Sequence, residues 1–253
     1  MTNTPEDGSR DPDPARPAFY ALAPGGWRDY WTLLHPPYTA WHLSYVAIGA
    51  SLATVLNGRW LAESLLAFTL AIGLCAHALD ELHGRPLRTR IPDAALWTIA
   101  TIGLAGAVAL GIDGAIEVSP WLSAFIVGGG FLLVAYNLEL FGGAFHSDLW
   151  FALGWGAFPA LTGYVAQTGR VSAAGVLVAA ACAGVSAAQR ILSTPVRRLR
   201  RHVTRVSGEL ELDDGSVEML DETVLRHAPE RALRVMACSM VLLAAGLVIA
   251  RLV

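Results

Sequence analysis

Seven apolar stretches of roughly twenty residues follow one another along the chain, at about 38–56, 61–79, 94–112, 121–140, 149–166, 173–191 and 232–253. A helix needs about 20 apolar residues to cross the hydrocarbon core of a bilayer. Inside that core every backbone polar group must be satisfied within the protein, which a helix does by itself. Any one stretch is compatible with the core helix of a soluble protein, but seven in series are not. Charged residues make up only 15% of the chain, against about a quarter in soluble domains. The sequence therefore predicts an all-α integral membrane bundle of about seven transmembrane helices. Residues 30–253 form the membrane domain. Residues 1–29, rich in Pro, Gly, Asp and Arg, read as a disordered cytoplasmic tail.

Arginine placement orients the bundle. All eighteen basic residues are arginine, which excludes lysine Schiff-base chemistry, and the net charge of −3 argues against a nucleic-acid partner. Arginines gather in three segments: Arg10, Arg16 and Arg28; Arg85, Arg88 and Arg90; and Arg197, Arg198, Arg200, Arg201 and Arg205. Seven helices put all three on one side, so the positive-inside rule predicts a cytoplasmic N-terminus and an outer C-terminus in the cell membrane. The one long connection, 193–230, runs from basic to acidic, and "ELELDDGSVEML" alternates around Asp-Gly as a short hairpin does. Such a connection is a candidate lid or a disordered segment. Cys75, Cys182 and Cys238 lie in apolar runs at unrelated spacings and read as packing residues.

Ionisable residues collect at the same predicted membrane face. His42 lies near the start of the first helix, and His77, Asp80, Glu81 and His83 close the second. Glu139 closes the fourth, and His146 and Asp148 precede the fifth. His77, Asp80 and Glu81 are spaced i, i+3 and i+4 and share a helical stripe, with His83 three residues past Asp80. Carboxylate-x-x-His pairs, supplemented from neighbouring helices, are how helical bundles build di-metal sites. Mixed imidazole and carboxylate ligands suit iron, manganese or zinc, whereas magnesium prefers oxygen alone. Buried ionisable groups at membrane depth mark function. His35, just before Pro36 and Pro37, reads as an interfacial residue, and Trp41, Trp97, Trp121, Trp150 and Trp155 as belt or packing residues.

These residues bring a resemblance. "DELHGRPLRTRIP" is similar to the first motif of the UbiA superfamily of membrane prenyltransferases, an Asp-rich stretch at the end of helix 2 followed by an Arg-Pro-rich segment. "YNLELFGGAFHSDLWFALGWGAFPALTGY" resembles that family's helix 4–5 region, and "HPPYTAWHLSYVAIGAS" its first helix. The resemblance covers about residues 30–200. It implies a helical bundle around a lipid-open cavity with a polar cytoplasmic floor, where magnesium holds a prenyl diphosphate between two Asp-rich motifs. The chain departs from the pattern. The first motif has become His77, Asp80, Glu81 and His83, and "VSAAQRILSTPVRRLRR" has no aspartate where the second should stand. The family has nine helices, not seven.

The reading is a UbiA-like membrane metalloenzyme that oxidises or cleaves a hydrophobic lipid or isoprenoid-type substrate at a non-haem iron site, mononuclear or di-iron. Its candidate ligands are His42, His77, Asp80, His83, Glu139 and His146, with Glu81 and Asp148 as ligands or orienting groups. Tyr136, one turn before Glu139, is a candidate proton or hydrogen-bond donor, and Glu81 is the second candidate catalytic group. Arg85, Arg88, Arg197 and Arg198 are candidates for an anionic headgroup or diphosphate. An electron donor and membrane lipids are the expected partners. Two alternatives stand beside this reading: a magnesium-dependent prenyltransferase, and a non-catalytic lipid- or metal-binding protein.

Overall fold

The computed structural model describes residues 16–252. A short helix α1 (Trp27–Leu33) precedes α2 (Pro36–Ala50), α3 (Gly58–Leu82), α4 (Asp93–Glu117), α5 (Leu122–Asn137), α6 (Asp148–Thr168), α7 (Ala173–His202) and α8 (Glu222–Leu252). Each apolar stretch of the sequence carries one helix, and five of them, α3, α4, α6, α7 and α8, are long and apolar enough to cross a membrane. This is a membrane-embedded, all-helical protein. The expected count of seven spans is met only in part, because α2 and α5 are shorter. α2 begins at Pro36 and ends at Ala50, where Ser51 leads into a turn. α5 ends at Asn137, before Glu139 takes a left-handed conformation at φ 48°.

α7 and α8 depart most from expectation. α7 runs through Pro195 to His202, and α8 starts at Glu222 and runs through Pro229. The basic run is therefore helix rather than loop, and the connection expected over 193–230 shrinks to 203–221. At 1.5 Å per residue each helix is about 45 Å long, roughly 15 Å more than the hydrocarbon core. The projecting ends are joined by a buried ion network. Arg200 Nε meets Glu230 Oε1 at 2.5 Å and Arg226 Nη1 meets Glu230 Oε2 at 3.5 Å, with all three side chains at most 6% exposed. Between the helices the predicted hairpin forms: Gly208–Glu211 pairs antiparallel with Val217–Leu220 around Gly215 at φ 79°. A Ser216 hydroxyl and amide on Asp214 hold that carboxyl below its usual range.

Close backbone contact sets the position of α2. A Cβ on Gly49 would lie 1.8 Å from the Ala160 carbonyl oxygen, and one on Gly163 would lie 2.2 Å from that of Val46. The two pairs sit one turn apart on α2 and α6, the small-residue contact that lets helices approach in lipid. Trp41, fully buried, donates from Nε1 to Tyr45 Oη at 2.7 Å, so it is a core residue rather than part of a belt. Trp97 and Trp121 are more than half exposed, as belt residues would be.

Of the stretch expected as a tail, residues 1–15 lie outside the described residues. Residues 16–22 and Asp29 are at least partly buried, while Ala23, Pro24 and Gly26 to Arg28 are exposed. Ala21 is buried, Leu22 donates its amide to Thr32 Oγ1, and Arg200 and Arg201 donate to the carbonyls of Arg16 and Pro17. All three described cysteines are free thiols.

Candidate functional site

Two π-helical stretches adjoin the ionisable face of the bundle: Thr69–Ala76 in α3 and Leu153–Ala157 in α6. Such stretches disturb the helical hydrogen-bond ladder and are frequent at functional sites. Here each supplies a carbonyl to an imidazole. His42 Nδ1 lies 2.8 Å from the Trp155 carbonyl, and His77 Nδ1 lies 3.3 Å from that of Gly73. His146 Nδ1 is 3.0 Å from the carbonyl of Tyr136, in the last turn of α5. A carbonyl only accepts, so each Nδ1 carries the proton and each Nε2 is left as the basic nitrogen. That is the arrangement that orients metal-binding or proton-accepting histidines.

The candidate residues fall into three sets. The inner set is His42 and His77, both buried, with His35 stacked on His77 at 4.0 Å between ring centroids. His35 therefore packs on a candidate ligand, a contact its place before two prolines did not display. Burial first, and the neighbouring His77 next, push its pKa well below the ordinary value, so it is neutral. Tyr20 packs over His35 and over Tyr38, with ring centroids 5.4 Å and 5.6 Å apart. Burial also raises the pKa of Tyr20.

The rim set is His83, Glu139 and His146. Glu139 stands between the imidazoles, with His83 Nε2 and His146 Nδ1 each 3.8 Å from a different carboxylate oxygen. Both distances exceed a hydrogen bond. Glu139 and Phe141 have positive φ, as do His35, Arg85 and Arg88, and these are all such non-glycine residues among those described. Every one lies in a segment at this end of the bundle. Strained conformations of this kind cluster at functional sites. His146 also stacks on Tyr136 at 4.4 Å, and Asp80 lies within electrostatic reach of His146, Arg197 and Arg201.

The third set is engaged elsewhere. Glu81 is fully buried and accepts from Leu87 N at 2.9 Å, Thr89 N at 2.8 Å and Thr89 Oγ1 at 2.8 Å, so it holds its own loop rather than acting as a catalytic group. Asp148 pairs with Arg190 Nε at 2.8 Å. Arg85 bonds the Ile91 carbonyl and Asp93, while Arg88 and Arg198 are exposed. The expected ligands therefore do not converge on one point. Among the described residues no three His, Cys, Asp or Glu are placed to hold one ion.

Of the four candidate arginines, Arg197 is the one that stands among the ionisable groups of this face. Tyr20, His35, Tyr38, Asp80 and Tyr136 all lie within its field, with Arg190 and Arg201 beside it. Arg190, Arg197 and Arg201 are spaced by seven and four on one face of α7. That face was legible only if the helix is carried through Pro195, where a break is the ordinary expectation. His35 Nε2, Tyr136 Oη and Gln189 Oε1 are buried without a hydrogen-bond partner among the described residues. Beyond Trp155, whose ring lies 4.3 Å from that of Tyr136, an apolar cavity of about 150 Å³ runs between α3, α4, α5 and α6, lined by Phe68, Ile72, Leu133 and Phe158 among others.

No known protein family, curated protein or solved structure matches the chain.

Proposed function

We propose that the chain is a UbiA-like integral membrane metalloenzyme, with seven helices crossing the bilayer and the N-terminus cytoplasmic. It oxidises or cleaves a hydrophobic lipid or isoprenoid-type substrate, using dioxygen and an electron donor as co-reactants. The observation that carries this reading is the shared state of His42, His77 and His146, whose Nδ1 atoms face backbone carbonyls and leave Nε2 free. The metal is non-haem iron. His83, Glu139 and His146 would supply its ligands after a small rearrangement, with Asp80 within electrostatic reach of His146. Two ligands of one ion, each about 2.0–2.2 Å from it, are roughly 2.9–3.4 Å apart. The 3.8 Å separation of His83 Nε2 from Glu139 would need to close by only about half an ångström, and His146 would join through its free Nε2. The apolar cavity behind Trp155 supplies a place for the hydrophobic part of the substrate.

Elemental analysis of protein purified in mild detergent tests the reading. Stoichiometric iron, lost in His83→Ala and His146→Ala, is the expected result. A second reading, magnesium-dependent prenyl transfer, is favoured by Asp80 standing within reach of Arg197 and Arg201. An iron-free protein whose activity needs only magnesium and a prenyl diphosphate would replace the first reading with this one.

A further inference from the structure

The chamber around Arg197 is electrostatically unfinished. Arg197 donates to Ser193 Oγ at 2.8 Å and to Thr194 Oγ1 at 3.0 Å, both neutral, and makes no ion pair among the described residues. Its neighbour Arg201 donates to the carbonyl of Pro17, and Arg190 is taken by Asp148. Asp80 is the carboxylate whose field reaches both Arg197 and Arg201, yet it makes no ion pair with either. Gathering arginines in a partly buried space with so little opposite charge is costly unless an anion completes it. Two buried polar atoms in the same field, Tyr136 Oη and His35 Nε2, lack partners among the described residues. Tyr136 also touches Trp155, which lines the apolar cavity, so a wall of these two rings stands between the arginines and that cavity. Anion-seeking donors on one side of that wall and an apolar cavity on the other describe a site for an amphiphile.

We propose that this chamber binds the single anionic head, a monophosphate or a carboxylate, of an amphiphile whose apolar chain lies in the cavity beyond Trp155, and that Arg197 does this without a divalent cation. Arg197 is the principal donor, and the Tyr136 hydroxyl and His35 Nε2 supply neutral hydrogen bonds. Metal-free recognition separates this site from one that needs magnesium to bridge a diphosphate, because here the positive charge is built into the protein. The inference rests on the reading of the cavity as the place of a substrate's hydrophobic part, and on nothing about the metal.

The test uses the full chain purified in a neutral detergent with EDTA present, and reads the thermal unfolding midpoint against ligand concentration. Farnesyl monophosphate and farnesoic acid are expected to raise the midpoint, while farnesol and inorganic phosphate alone have little effect. Phosphatidic acid distinguishes the source: if it matches farnesyl monophosphate the head belongs to a membrane lipid, and if it does not the ligand is isoprenoid. Arg197→Gln should weaken farnesyl monophosphate by at least about tenfold, as loss of a charge-assisted bond does. Tyr136→Phe, which keeps the ring packing, should weaken it by about three- to tenfold. If Arg197→Gln does not fold, the Tyr136→Phe result carries the comparison. Equal stabilisation by farnesol, a full effect from inorganic phosphate alone, or a requirement for added magnesium would each overturn the proposal. A protein that holds no iron would leave these EDTA measurements unchanged, so the two readings fail separately.

Discussion

Replacing Glu81 by glutamine should free the loop 83–91 without disturbing the bundle. Glu81 Oε1 accepts from the Thr89 amide and hydroxyl, and Oε2 accepts from the Leu87 amide, all at 2.8–2.9 Å. Glutamine keeps one oxygen, which fits best toward Thr89, and turns an NH2 group toward the Leu87 N–H. One charge-assisted bond is lost and one buried N–H is left unpaired, a cost of about 2–4 kcal/mol. The carboxylate is fully buried, so solvent does not soften this figure. The loop carries two sites for trypsin, Arg88 and Arg90, since Arg85 is followed by Pro86. Where cleavage follows the population of the open loop, that cost makes cutting roughly 30- to 700-fold faster, at tenfold per 1.4 kcal/mol. Limited trypsin digestion in detergent, with the cut sites read by mass spectrometry, measures it. Cleavage of Glu81→Gln at the wild-type rate would show that Glu81 does not hold the loop.

Gly163→Ala forces a Cβ to within 2.2 Å of the Val46 carbonyl oxygen, so it should lower the unfolding midpoint by an overpacking cost of about 1–3 kcal/mol. Gly184→Ala, with nothing near its Cβ, should be neutral or slightly stabilising, and equal effects from the two would contradict the close approach of α2 and α6. The depressed pKa of His35 makes stability pH-dependent: the unfolded chain takes up a proton near pH 6.5 that the folded chain refuses. Stability from this group is present above about pH 6.5 and lost as pH falls below it, by up to about 1.4 kcal/mol per pH unit. His35→Asn, which tolerates the left-handed backbone at φ 46°, should flatten that decline in thermal unfolding measured between pH 5 and 8, and an unchanged profile would refute the assignment.

The helices were legible in the sequence because apolar stretches long enough to span a bilayer leave the chain few other options. Their ends were not. Pro195 and Pro229 lie inside α7 and α8, whose extra turns are held by the Arg200, Arg226 and Glu230 network, a contact between residues about thirty apart that no local pattern displays. The gathering of histidines at one end was also legible, from depth alone. What each of them does was not, because the carbonyls facing His42 and His77 come from π-helical stretches with no composition of their own. Glu81 shares a helical stripe with His77 in the sequence, yet its partners are the amides of a loop six to eight residues on. His35 lay beside two prolines and looked interfacial until its ring was found stacked on His77. Arg197, and not Arg85 or Arg88, proved to be the arginine at the centre of the chamber.

The central claim is that the rim histidines His83 and His146, with Glu139, hold a metal ion. X-ray absorption at the iron edge, on protein purified from cells grown with iron, measures this directly. The account predicts a nitrogen and oxygen shell at about 2.0–2.2 Å with the outer-shell scattering of at least two imidazoles, and loss of that imidazole signal in His83→Ala and His146→Ala. Absence of iron, or an iron shell of water oxygens that both variants leave unchanged, would contradict it.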